Sequence, residues 1–320
     1  MSEETQVDKK LIFKILILAG ITFVIGLIFY LVEFVLTEPF NALLYDNTTA
    51  VTIFTFISEL GDTLVYILLI VVVWYVYDKR VGKNLAFTLF GSYLVNSVLK
   101  DVFQDPRPPT NTTAEGYGLP SGHSQQAVAT WGYLSYKAYL KKNKILFWIF
   151  TILVYIIAIS RVIIGVHDVQ DVWIGLTIGF LWLVLFIVLE PKVSAKISSL
   201  SVVIKIILSI VVPIVLFIIL SYLVFPSSVI DYGMINGAMM GLSLGYVFET
   251  KKIKYEPIDL NYKQRILNVV IGIVIALVLY LGLSLLFPES QIMDFVQYAI
   301  LSFILVGLVP WIFVKINRKS

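Results

Sequence analysis

The chain contains no cysteine and only two histidines in 320 residues. Without thiols there is no disulfide, no thiolate metal site and no cysteine nucleophile, and two imidazoles are too few for a histidine-rich metal centre. Charge is scarce as well. Asp, Glu, Lys and Arg make up 14% of the residues, against about 25% in soluble domains. The net charge of +3 comes from short basic clusters between apolar runs, which gives no continuous basic surface for nucleic acid. There is no soluble domain, low-complexity tract or convincing internal repeat.

What is present is apolar length. Hydrophobic residues reach 59% and the mean hydropathy is +0.91. A spanning helix needs about 20 mainly apolar residues, and ten stretches qualify as candidates: 11–36, 51–77, 84–104, 122–140, 145–164, 168–189, 200–225, 229–248, 264–287 and 291–314. The expected fold is therefore all-α, a polytopic transmembrane bundle of about ten helices. Lys9 and Lys10 precede an apolar run too long for a signal-peptide core, so it reads as a retained first helix.

Basic residues orient the bundle. Of the 24 Lys and Arg, all but Lys100, Arg107 and Arg161 fall in segments that alternate strictly with loops lacking both residue types. The positive-inside rule places these segments and both termini in the cytoplasm. The segments 37–50, 100–122, 165–167, 226–228 and 288–290 then face outward, together with the Asn-X-Thr sequons at Asn47 and Asn111. The expected location is the plasma (cytoplasmic) membrane. Chemistry-bearing residues end at Asp171, which suggests a six-helix core over 1–192 and a four-helix extension of unassigned role over 193–320. In the extension Gly237, Gly241 and Gly245 recur every fourth residue, a spacing suited to close helix packing.

Three cations stranded on the translocated side need a reason to be there. They share short segments with both histidines. The first runs from Lys100 through Asp101 and Asp105 to Arg107, where prolines turn the chain out of its helix; an interfacial anchor pair is the ordinary alternative. The second, Pro120-Ser121-Gly122-His123, opens the fourth helix. There backbone donors and the helix dipole favour an anion, though a plain cap with a chance histidine has the same letters. The third runs from Ser160-Arg161 to His167 and Asp171, whose spacing of four puts both on one helical face. A carboxylate on one ring nitrogen fixes the tautomer and makes the other nitrogen a better nucleophile. A polar cap on the sixth helix is the alternative, and Asp168 is a second candidate partner.

Taken in order, Lys-x6-Arg-Pro, Pro-Ser-Gly-His and Ser-Arg-x5-His-x3-Asp resemble the three signature motifs of the type 2 phosphatidic acid phosphatase (PAP2) family, which shares its active site with vanadium haloperoxidases. The resemblance covers residues 100 to 171 with every signature residue present. It implies a membrane lipid phosphatase in which His167 attacks phosphorus to form a phosphohistidine, oriented by Asp171. His123 serves as acid and then base. Lys100, Arg107, Arg161, Ser121 and the Gly122 amide hold the phosphoryl oxygens. With three cations in the place of a metal, the expectation is metal-independent activity with no cofactor. The expected partners are the bilayer and a lipid phosphate monoester or isoprenoid diphosphate, taken at the outer face; phosphatidate, phosphatidylglycerophosphate, a sphingoid-base phosphate and a polyprenyl diphosphate are all admissible. Rival readings are a phosphatase for a soluble ester, a haloperoxidase, and a lipid or anion transporter whose path is lined by the cations.

Overall fold

The computed structural model describes residues 8–33, 47–110, 114–257 and 260–317. The Asn111 sequon, most of the expected outward segment 37–50, the last residues of the first expected helix and the terminal cations Arg318 and Lys319 lie outside these. Among the described residues the chain is helical, without strands, and each of the ten expected stretches is occupied by helix. In order these are α1 (Lys9–Glu33), α2 (Thr48–Glu59), α3 (Thr63–Val72, extended by a π-helical turn to Tyr77), α4 (Lys79–Phe103) and α5 (Gly122–Ala127). A π-helical turn joins α5 to α6 (Tyr133–Leu140). Then follow α7 (Lys144–Ile163), α8 (Val169–Ser199), α9 (Val202–Ile218), α10 (Tyr232–Phe248), α11 (Tyr262–Leu286), α12 (Gln291–Phe303) and α13 (Val309–Asn317).

Six helical stretches are long and apolar enough to cross a membrane: Lys9–Val32, Lys144–Ile163, Val169–Ser199, Val202–Val224, Tyr262–Leu286 and Gln291–Asn317. A seventh counts if α2 and α3, bent by 43° at their junction, are one broken span. The protein is an integral membrane protein. The other expected spans, α4, α5–α6 and α10, are helical but carry too many polar and glycine residues to qualify on composition. That polarity has a structural use, because α4 and α5 supply the buried amides and cations described below.

The helices pack as two compact units. One comprises the described residues up to Tyr66 with Gly91–Ser194; the other comprises Ile67–Phe90 with those from Ala195 onward. The two units thus interleave in sequence, with the α3–α4 hairpin belonging largely to the second.

In the first unit α8 is approached closely by its neighbours where its side chains are small. A Cβ on Gly175 would lie 2.6 Å from the Ser121 carbonyl oxygen, and one on Gly179 2.9 Å from that of Gln125. Thr22 of α1 and Thr177 of α8 share a buried hydroxyl hydrogen bond at 2.9 Å. In the second unit the glycine stripe of α10 lies against the backbone of α12. A Cβ on Gly237 would sit 2.1 Å from the Phe295 carbonyl oxygen, and one on Gly241 2.1 Å from that of Ala299. Without a hydrophobic driving force between helices in lipid, such backbone contact is a main source of association. The start of α4 is held by Lys79, whose Nζ lies 3.3 Å from Glu249 and 2.7 Å from Glu256.

Candidate active site

The first unit gathers all three sequence segments at one end. The turn from α7 to α8 is closed by main-chain bonds from Gly165 to the Val162 carbonyl at 3.0 Å and from His167 to the Arg161 carbonyl at 3.3 Å. Gly165 takes a left-handed conformation there (φ 73°), which a Cβ would disfavour. His167 therefore precedes α8 instead of sitting inside it, as the sequence spacing had suggested. Asp171 is in the first turn of α8 and reaches back so that its Oδ2 accepts the Asp168 backbone N–H at 3.2 Å, half of a capping-box arrangement. The same Oδ2 lies 3.0 Å from His167 Nδ1. The helix start aims the carboxylate, and the carboxylate aims the ring. His167 is 2% exposed and Asp171 fully buried, which fixes both rotamers.

The tautomer follows from chemistry. Arg107 Nη1 lies 3.2 Å from His167 Nε2. A guanidinium has donors only, so Nε2 must present its lone pair. The ring proton then resides on Nδ1 and is donated to Asp171. Burial pushes the His167 ring well below the usual imidazole range, and Arg107, Lys100, Arg161 and the His123 ring add to the effect. That the three cations and the second histidine all act on one imidazole shows how closely they are gathered.

In this state Lys100 and Arg107 are engaged by main-chain oxygens and Arg161 by a side-chain hydroxyl. Lys100 Nζ donates to the Tyr117 carbonyl. Arg107 donates from Nη2 to Glu115 at 2.8 Å, from Nε to Glu115 and Gly116 at 3.1 Å each, and from Nη1 to Val166 at 2.9 Å. Arg161, 8% exposed, donates from Nη1 to the Ser58 hydroxyl, and its Nε is buried with no acceptor among the described residues. Carbonyl and hydroxyl oxygens are neutral acceptors, so a charged phosphoryl group competes well for these donors.

His123 lies in the first turn of α5, with Nε2 3.5 Å from Asp62 Oδ1. The start of α5 is anchored from three directions. Asn96 Nδ2 of α4 donates to the Pro120 carbonyl at 3.2 Å and to Gln125 Oε1 at 2.9 Å. Gln125 Nε2 donates to the Ser92 carbonyl at 2.9 Å. The Ser121 backbone N–H donates to the Asp171 carbonyl at 3.0 Å. The Ser121 hydroxyl is fully buried and accepts from Ser124 Oγ at 3.0 Å. Gly122 stands at the helix start beside Asn96, with a Cβ there 3.2 Å from Asn96 Oδ1.

Of the eight residues singled out in the sequence, Lys100, Arg107, Arg161, His123, His167 and Asp171 act on one another directly or through their fields. Ser121 and Gly122 hold the backbone beside them. Sequence reasoning missed Ser58 and Asp62, and named Asp105 in the first segment without giving it a role. The Asp105 Oδ2 would lie 3.3 Å from a Cβ on Gly118, whose other close neighbours are Asp171 Oδ2 at 2.9 Å and the Pro106 carbonyl oxygen at 3.0 Å; burial pushes the Asp105 carboxyl up. The chemical capacity is that of a carboxylate-oriented imidazole nucleophile, a second imidazole with its own carboxylate, and fixed cations around both.

Known proteins share this pattern. The family model of the PAP2 superfamily matches residues 82–195, and that of the PAP2 superfamily phosphatase transmembrane extension matches 233–320. The chain is 29% identical over 154 residues to phosphatidylglycerophosphatase B of Bacillus subtilis (strain 168), covering 44% of this chain and 76% of that protein. It is 28% identical over 123 residues to dolichyldiphosphatase of Saccharomyces cerevisiae, covering 34% and 52%. It is 31% identical over 135 residues to lipid phosphate phosphatase delta of Arabidopsis thaliana, covering 36% and 32%. The crystal structure of a transmembrane PAP2-type phosphatidylglycerolphosphate phosphatase from Bacillus subtilis aligns with a TM-score of 0.41 at 23% identity, over 54% of this chain and 96% of that one. Two models of one superfamily thus match more than half the sequence, one across the site and one across the last helices, and the chain belongs to the PAP2 superfamily.

Proposed function

We propose that this protein is an integral-membrane phosphatase that hydrolyses lipid phosphate monoesters or isoprenoid diphosphates at the outer membrane face through a phosphohistidine on His167. The observation that carries the reading is the His167 arrangement, with Nδ1 3.0 Å from Asp171 and Nε2 facing an arginine. Phosphoryl transfer passes through a state with charge spread over three equatorial oxygens, so catalysis is mostly positioning and charge neutralisation. Lys100, Arg107 and Arg161 supply that neutralisation, with Ser121 and the Gly122 amide beside them.

In the first step Arg107 leaves Nε2 for the phosphoryl oxygens. The Nε2 lone pair forms the N–P bond as the bond to the leaving oxygen breaks, and that oxygen takes a proton from His123. In the second step water gives its proton to His123 and attacks phosphorus. The N–P electron pair returns to Nε2, and inorganic phosphate departs. Asp171 stabilises the positive ring in both steps. The first six-helix region carries this chemistry, and the four later helices belong to the extension.

The similar proteins are named for phosphatidylglycerophosphate, dolichyl diphosphate and lipid phosphates. A site enclosed by apolar helices suits a substrate whose tail stays in the bilayer. Placement at the outer face, with both termini in the cytoplasm of a plasma-membrane protein, rests on the distribution of Lys and Arg.

The test uses purified protein and a panel of phosphatidate, phosphatidylglycerophosphate, sphingoid-base phosphate, polyprenyl diphosphate and glucose 6-phosphate. The expected result is turnover of lipid substrates well above the sugar ester. Rapid quench with 32P-labelled lipid should trap an alkali-stable, acid-labile phosphoenzyme that is lost in His167→Ala. A wild-type rate in that variant would overturn the mechanism.

A further inference from the structure

The break between α2 and α3 lies outside the three sequence motifs, yet its residues touch two members of the site. Ser58 accepts from Arg161 Nη1. Asp62 Oδ1 lies 3.5 Å from His123 Nε2. Between them Gly61 is pressed against the ring: a Cβ there would lie 2.8 Å from His123 Cδ2 and 2.8 Å from Ile157 Cγ2. The break itself does not need the Asp62 carboxylate. It is closed by main-chain bonds from Leu60 to Ile57 at 3.1 Å, Gly61 to Ser58 at 2.8 Å and Asp62 to Glu59 at 3.0 Å. A carboxylate that the backbone does not use, set in an otherwise apolar run and facing an imidazole, points to function.

The geometry points to Asp62 as a positioning residue for His123, completing a second carboxylate–imidazole pair that works in the opposite sense to the first. In the His167 pair the carboxylate faces Nδ1 and Nε2 reacts. In the His123 pair the carboxylate faces Nε2, so Nδ1 is the nitrogen that gives a proton to the leaving oxygen and takes one from water. The Nε2 proton stays with Asp62 throughout, and each turnover moves one proton off Nδ1 and one back on. The charged groups acting on His123 are Asp62, Arg161 and Arg107, with the His167 ring nearby. Burial first, then Arg161 and Arg107, disfavour a protonated ring and hold His123 below the usual imidazole range. The Asp62 carboxylate opposes that fall without cancelling it, with Glu59 within hydrogen-bonding reach of Asp62.

This inference rests on the phosphatase reading, and leaving-group chemistry tests it separately. Two phosphate monoesters with the same lipid tail are compared, one releasing an alkyl alcohol and the other a nitrophenol, which departs without protonation. For the alkyl ester, Asp62→Asn should lower kcat/KM by about tenfold or more, since general acid catalysis contributes about 10²- to 10⁴-fold and Asp62 supports part of it. For the aryl ester the change should stay within about twofold. Asp62→Glu should recover most of the alkyl activity, and the basic limb of the alkyl pH profile should move to lower pH in Asp62→Asn. Equal losses on both esters would mean a merely structural residue, and no loss on either would mean an idle one; both results overturn the inference. A wild-type protein that hydrolyses neither ester would instead overturn the phosphatase reading itself.

Discussion

Replacing Asp171 with Asn separates what its carboxylate does by geometry from what it does by charge. Oδ2 holds the His167 Nδ1–H at 3.0 Å and the Asp168 N–H at 3.2 Å. An asparagine that places its amide oxygen at the same point keeps both bonds, and Arg107 at 3.2 Å from Nε2 keeps the tautomer. What is lost is the negative charge opposite a ring that, in the proposed mechanism, turns positive as the N–P bond forms. The difference between a charged and a neutral hydrogen bond is about 1–2 kcal/mol, which sets the floor at about tenfold. The full attraction of two unit charges about 4 Å apart at an effective dielectric of about 20 is about 4 kcal/mol, which sets the ceiling near 10³-fold. Asp171→Asn should therefore lose about 10- to 10³-fold in kcat/KM on a lipid phosphate in mixed micelles. Asp171→Ala should be worse by about tenfold or more, because it leaves the Asp168 N–H and the ring nitrogen buried without an acceptor. With only two histidines in the chain, ¹⁵N-histidine spectra report the tautomer directly. The Nδ1–H form should survive in both variants, because Arg107 still faces Nε2. Activity of Asp171→Asn within about threefold of wild type would refute the charge argument. So would a loss as complete as that of His167→Ala.

Other outcomes follow from the same structure. The depressed His167 ring keeps its neutral, nucleophilic form as pH falls past the ordinary imidazole value of about 6.5. Because the unfolded ring binds its proton first, the stability it contributes is full above that value and declines as pH falls from there through the lower folded-state value. A ¹⁵N titration should show the His167 ring still neutral at about pH 6, and a His167 ring titrating near 6.5 would contradict this. A Cβ on Gly241 would sit 2.1 Å from the Ala299 carbonyl oxygen, so Gly241→Val should cost about 3 kcal/mol or more and lower the apparent Tm in detergent by several degrees. An unchanged Tm would mean that α10 and α12 are not in backbone contact. Because fixed cations neutralise the phosphoryl group in the proposed mechanism, turnover should persist in excess chelator, and loss of activity that Mg²⁺ restores would count against it.

How much of this was legible in the sequence depends on which atoms do the work. Lys100, Arg107 and Arg161 stood out because cations on the translocated side are unexpected, and His167 and Asp171 because a spacing of four suits a shared helical face. The pairing holds although His167 precedes α8, since a first-turn side chain can reach back across the helix start. Asp62 was hidden because the run 51–77 looks like one apolar span, and its polar interruption Ser58-Glu59-Leu60-Gly61-Asp62 was passed over. Two carboxylates within a spanning run were the signal that could have found it. The carbonyls of Glu115, Gly116 and Tyr117 that engage Lys100 and Arg107 have no sequence signature, because every residue carries the same main-chain oxygen. Nor do letters tell that the α3–α4 hairpin packs with the later helices, since non-adjacent pairing depends on complementary surfaces.

In the proposed mechanism the bond from the Ser121 amide to the Asp171 carbonyl joins the two halves of the reaction through main chain alone. The ring that releases the leaving oxygen stands two residues past one end of that bond, and the carboxylate that steadies the attacking ring stands at the other. Gly175, pressed against Ser121 one turn further along α8, permits no thicker spacer. In the proposed mechanism the backbone between these two ends sets the gap across which the phosphoryl group passes, and substitutions at the rim that change lipid preference should leave that backbone contact unchanged.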